Sequence, residues 1–217
     1  WYPQHFDAGE LVNAWRGPGA GGATIGGWTA DGSRAGAAAF SVTPAPDGRD
    51  SALWIGIGRI DDARPNTASH DGLTPVTDFR LRANVSLQPG AAFHAELRES
   101  ADTWVRLKLD PEGGSSVTIS RAGVSATVDI ASAVGAALPW TGADGVPVAF
   151  AQADDRVSLW IAGELVWSKD LDPAAVPSPA PSAGFSASSR KAGAKVHVLA
   201  PAIDRDTHYL NPTPHLM

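Results

Sequence analysis

From about residue 36 onward, apolar and polar residues alternate with a period of two. "AAAFSVTP", "SALWIGIGRI", "VTDFRLRANVSLQ", "AAFHAELRES", "TWVRLKLD", "SSVTISRA", "VSATVDIA", "VPVAFAQA", "RVSLWIAG", "ELVWSKD", "AGFSASS" and "AKVHVLAP" are each short and rich in β-branched or aromatic residues. Side chains on a strand point alternately to its two faces, so each run presents one apolar and one polar face. In three of these runs the assignments are explicit. Phe93, Ala95 and Leu97 alternate with His94, Glu96 and Arg98, and Val105, Leu107 and Leu109 alternate with Arg106 and Lys108. Val157, Leu159 and Ile161 likewise oppose Ser158 and Trp160. Turn chemistry separates the runs: "QPG", "PEGG", "RAG", "ADG", "QADD", "AG" and "RKAG".

About a dozen short strands with almost no helical punctuation predict an all-β protein, an antiparallel β-sandwich of the jelly-roll, concanavalin A-like or lamin-G-like kind. One short N-terminal helix is expected in "DAGELVNAW", where Asp7 and Glu10 form a capping box ahead of Leu11, Val12 and Trp15. "RGPGAGG" ends it. No repeat of fixed length appears, which argues against a propeller or solenoid. Residues 1–217 read as a single domain with a strand-rich core over about 36–210, excerpted from a longer chain.

Composition narrows the function. Seventeen Lys and Arg against 23 Asp and Glu give a net charge of −6 with no basic block, which argues against nucleic acid and anionic membranes as partners. There is no cysteine, so neither disulfides nor thiolate metal sites are available. No apolar run approaches a membrane span.

Candidate chemistry is thin. Glu96 and Glu99 are three apart and point to opposite faces of their strand, so they do not form the facing carboxylates of a glycosidase. Asp61–Asp62 and Asp154–Asp155 diverge for the same reason. His5, His70, His94, His197, His208 and His215 show no metal-ligand spacing, and His94 and His197 are expected to face solvent. Asp61, Asp62 and Asp71 are a conceivable calcium loop, although a solvated loop is the plainer reading, and no cofactor is assigned. Of the eight tryptophans, Trp54, Trp104, Trp160 and Trp167 lie inside strands and are expected to pack, while Trp1, Trp15 and Trp28 are the better candidates for an exposed role. No G-x-S-x-G turn occurs, so no catalytic, metal or cofactor-binding residue is assigned.

Three segments together carry a resemblance: Thr77–Asp78–Phe79 opening a hairpin, Phe150 to Trp160 ("FAQADDRVSLW"), and Arg205–Asp206–Thr207–His208–Tyr209. In order and spacing they resemble the β-sandwich region inserted in planctomycete-type signal peptidase I proteins. That resemblance implies a membrane-anchored parent with a Ser/Lys dyad on the extracytoplasmic side, cleaving signal peptides. The family's Ser-x-Met, Lys-Arg and Gly-Asp-Asn motifs are absent here, so the domain itself would be non-catalytic. Its partners would be the catalytic body of the parent, and a glycan or a signal-peptide-bearing substrate. Arg205 and Asp206 would order the exit from the sandwich as a surface arrangement. Two alternatives stand beside this reading: a carbohydrate-binding, lectin-like module of a secreted or cell-surface protein, and a sandwich like the keto-disaccharide hydrolases.

Overall fold

A computed structural model describes residues 2–4, 28–34, 37–47, 51–55, 78–100, 102–135, 138–172 and 182–205. The chain is an antiparallel β-sandwich. The strands are β1 (Tyr2–Gln4), β2 (Thr29–Arg34), β3 (Ala37–Val42), β4 (Ser51–Ile55), β5 (Phe79–Leu87), β6 (Ala91–Arg98) and β7 (Trp104–Leu109). They continue with β8 (Ser116–Arg121), β9 (Val124–Asp129), β10 (Val146–Ala153), β11 (Arg156–Ile161), β12 (Glu164–Asp170), β13 (Ser182–Ser189) and β14 (Val196–Arg205). One sheet runs β12-β11-β10-β5-β14-β3-β2, with β1 also on β14; the other runs β4-β13-β6-β7-β8-β9. All twelve runs with period two form strands.

The alternation decides which side of each strand is dry. Leu81, Val85, Val148, Phe150, Val157, Leu159, Val196 and Val198 from the first sheet meet Phe93, Leu97, Leu107, Leu109, Val117 and Phe185 from the second, all buried. Phe93 and Phe185 lie on neighbouring strands with ring centroids 5.3 Å apart, within the range where tilted aromatic pairs attract.

Three hairpins close on two-residue turns with both central residues at positive φ: Ala122–Gly123, Asp154–Asp155 and Ala162–Gly163. That geometry matches the right-handed twist of the flanking strands. Asp154–Asp155 is therefore a turn. A bulge falls in β14 between Leu199 and Ala202, with Ala200 at φ +48°. It lets Pro201, which cannot donate to a ladder, sit inside a long central strand.

The N-terminal helix expected at Asp7–Trp15 lies outside the described residues. Among those described, one helical turn occurs, α1 (Ala131–Val134), in the β9–β10 connection. Ile130, Val134 and Trp140 from this connection are buried in the core, and the Leu87 amide donates to the Trp140 carbonyl at 2.7 Å. The segment closes one end of the sandwich.

Trp28, one of the better candidates for an exposed role, is buried, and its indole N–H donates to the Ser51 carbonyl at 2.9 Å. It joins the start of β2 in one sheet to β4 in the other, because an indole inside a core needs one acceptor for its single donor.

Candidate functional site

The outer face of the six-stranded sheet carries a dense polar surface. Register assembles it. Glu96 on β6 lies opposite Arg106 on β7 and Gly184 on β13, and His94 lies opposite Lys108 and Ser186. Arg98 lies opposite Trp104. Thr118 and Ser116 on β8 continue the rows beyond Arg106 and Lys108.

These side chains are ordered by one another. His94 Nε2 and the Ser188 hydroxyl are 2.9 Å apart. Arg98 donates to Glu96 Oε1 from Nε at 3.0 Å and Nη2 at 2.6 Å, and Arg106 Nη2 donates to the Ser186 hydroxyl at 3.2 Å. Thr118 and Thr127 share a hydrogen bond of 3.0 Å. Such bonds hold donors and acceptors in place before a ligand arrives, which lowers the ordering cost of binding.

His94, expected to face solvent, points to the outer face but is buried, as are Glu96 and Ser186. A polar group on a strand's wet face is removed from water when longer neighbours fold across it, and alternation alone does not report that. His197 is half-buried on the other sheet, opposite Ser41 and Ser86.

Asp110, at the end of β7, closes this face at one side. Its Oδ1 accepts from the Gly113 amide at 2.7 Å and from Arg190 Nη2 at 3.1 Å, and Lys108 Nζ lies 3.4 Å from Oδ2. A β-carbon at Gly113 would meet the ends of the Asp110 and Arg190 side chains, so a larger residue there would have to displace this ion pair.

Glu99 belongs elsewhere. It accepts a hydrogen bond from the Gln152 side-chain amide, across from β10 and between the sheets. Burial pushes its carboxyl up; Arg121 opposes that, and Asp155 and Asp78 add to it. Glu96 faces outward and Glu99 inward, as their three-residue separation requires. The other carboxylates of the outer face are Asp110, one strand from β6 and four residues along, about 14 Å from Glu96 at ordinary sheet spacings, and Asp129 on β9, three strands away and two residues along, about 16 Å. Glycosidic hydrolysis uses carboxyls roughly 5–9.5 Å apart, so Glu96 has no such partner on this face.

Asp204 is the residue of the closing "IDRD" stretch that matters structurally. It is wholly buried on the outer side of the eight-stranded sheet. It accepts from Arg82 Nε at 2.6 Å, Arg82 Nη2 at 2.9 Å and Arg80 Nε at 2.7 Å. Burial alone would raise its carboxyl, but the hydrogen bonds from Arg82 and Arg80, with their charge, hold it below the usual carboxylate range. The polar stretch therefore contains a buried ionic clasp in addition to any surface arrangement. Asp206, Thr207, His208 and Tyr209 lie outside the described residues, as do the calcium candidates Asp61, Asp62 and Asp71. Among the described residues no group of three His, Asp or Glu side chains could hold a metal ion, and no helix is long and apolar enough to cross a membrane. Trp104 and Trp160 are half-buried on outer faces, and Trp167 is half-buried against the core.

No family model matches the chain, and no curated protein is similar to it in sequence. Solved structures share its fold. The carbohydrate recognition domain of Emp47p is 11% identical, with 91% of this chain and 93% of that one covered at a TM-score of 0.51. The potassium-bound Emp46p carbohydrate recognition domain is 9% identical, with 82% and 88% covered at 0.51. The Crh5 transglycosylase in complex with NAG is 11% identical, with 95% and 84% covered at 0.53. At these identities the likeness defines a class of fold: this chain is a lectin-like β-sandwich.

Proposed function

We propose that the chain is a glycan-binding module whose contact surface is the outer face of the six-stranded sheet. The observation that carries this reading is the preordered polar array of His94, Glu96, Arg98, Arg106, Ser186 and Ser188 beside the half-buried Trp104. Sugars present ring faces and many hydroxyls. Aromatic rings receive the former, and closely spaced donors and acceptors of both kinds receive the latter. The carbohydrate recognition domains and the NAG-bound transglycosylase among the structural neighbours support the reading by fold; the residues of this face support it by chemistry. Affinity gel electrophoresis of the chain in a panel of immobilised polysaccharides tests it. Retention that weakens in Trp104→Ala is the expected result, and mobility unchanged by every polysaccharide would overturn it.

A second reading concerns the setting of the domain: an extracytoplasmic insert in a membrane-anchored signal peptidase. One observation favours it. The three motif segments converge, since Phe79 at the start of β5 pairs with both Gln152 on β10 and Arg205 on β14. In addition, Tyr2 pairs with Arg205, so β1 and the end of β14 lie side by side, as a domain inserted in a host requires of its entry and exit. The parent gene's sequence on either side tests this: Ser-x-Met and Lys-Arg upstream with Gly-Asp-Asn downstream would support it, and their absence would sink it.

A further inference from the structure

We infer that the outer face of the six-stranded sheet takes a carboxylated polysaccharide, a polymer of uronic acid residues, in preference to a neutral glycan. This rests on the glycan-binding reading above and adds the charge of the ligand.

The chain as a whole is acidic, at −6, yet this face is not. Arg98, Arg106, Lys108 and, at its end, Arg190 rise from β6, β7 and the segment after β13. Their anionic neighbours sit underneath: the Glu96 side chain is 9% exposed and that of Asp110 3%, whereas Arg98, Lys108 and Arg190 are 39%, 36% and 58% exposed. Asp129 stands at the far β9 edge, where it caps the Ala131 amide at 2.8 Å. Asp102 and Glu112 are exposed in the turns at either end of β7, so an approaching polymer meets cations first over the middle of the face. Charges are screened over about 8–10 Å at physiological salt, so the local sign of this face decides, and the remote acidic residues weigh little.

The remaining groups distinguish a uronate from other polyanions. A uronic acid keeps ring hydroxyls beside each carboxylate, and those hydroxyls need acceptors as well as donors. Glu96, Ser186, Ser188 and Thr118 supply both. A densely sulfated chain has fewer hydroxyls to offer those acceptors. Guanidinium groups match carboxylates in a two-pronged geometry, and Arg106 and Lys108, two apart on β7, stand about 6.7 Å from each other along the strand. That is close enough for their flexible side chains to reach neighbouring sugars of one polymer. Trp104 continues the same line.

The test uses the whole chain with polygalacturonate, the same polymer fully methyl-esterified, dextran and dextran sulfate, measured by affinity electrophoresis and titration calorimetry. Binding to polygalacturonate is expected, weakened about tenfold or more by esterification, and weakened roughly threefold by Lys108→Gln. Arg98→Gln provides a second, independently placed variant. Equal binding to the acid and its ester would overturn the charge assignment and leave the glycan reading in place. Dextran sulfate binding as tightly as polygalacturonate, or acidic peptides competing equally, would reduce the face to a general anion surface and overturn the uronate assignment. Absence of binding to all four polymers would overturn both readings.

Discussion

Asp204 and Glu99 are both carboxylates turned away from water, the first on the outer side of the eight-stranded sheet and the second between the two sheets. Asp204 is met by two guanidinium groups that donate three hydrogen bonds. Glu99 is met by the neutral amide of Gln152, with Arg121 nearby and Asp78 and Asp155 adding charge of its own sign. Burial raises both carboxyls, and only at Asp204 do the partners outweigh it. Burial alone does not set the charge state of an acid; the number and sign of its partners do.

The largest effect should come from breaking the clasp. Asp204→Ala leaves Arg80 and Arg82 without their shared acceptor where β5 and β14 pair, and losing three charge-assisted hydrogen bonds to partly exposed arginines costs about 2–3 kcal/mol. A large fall in the urea midpoint checks this. Arg82 holds Asp204 through two nitrogens and Arg80 through one. Arg82→Ala should therefore cost more than Arg80→Ala, about 1–2 kcal/mol against less, since both arginines are partly in water. The reverse order in the two unfolding curves would overturn the clasp as described.

The pH dependence sharpens the comparison. Asp204 has a lowered value in the folded state, so its contribution is present above its ordinary 3.8 and is lost as pH falls through the folded value. Asp204→Asn should flatten the acid limb of the stability profile below about pH 4. Glu99 has a raised value, so its contribution is present below its ordinary 4.5 and is lost as pH rises through the folded value. Glu99→Gln keeps an acceptor for Gln152. It should leave stability at pH 4 unchanged and raise it at pH 7, by less than about 1 kcal/mol after solvent screening. Thermal melts at the two pH values measure the difference. The smallest effect belongs to Arg156 and Asp170, an exposed pair 2.6 Å apart on β11 and β12. Asp170→Asn should move the melting curve within error, because water and salt screen such a pair.

The strands were legible because their signal is local. Phe93-His94-Ala95-Glu96 states its own two faces, and Ala162-Gly163 states its own turn. The candidate face was half legible. Alternation put His94, Glu96, Arg98, Arg106 and Lys108 on the polar side, but it gave no sign that β13 would place Ser186 and Ser188 next to residues 80 to 94 positions earlier. The burial of His94 was missed for the same reason, since it depends on a distant partner. A signal for Asp204 existed in the charge density of "IDRD", although nothing in that stretch pointed to Arg80 and Arg82.

The sequence by itself determined the strands, their dry sides and their tight turns, since side-chain periodicity and turn conformation are set by residues a few bonds apart. Only the tertiary structure decided which strands became neighbours. β5 sits between β10 and β14, and β13 beside β6. Those pairings depend on burying many apolar faces at once, a condition that no single segment contains. With them came everything that lies between strands: the Asp204 clasp, the contrary charge preference of Glu99, and the cationic polar face of the six-stranded sheet.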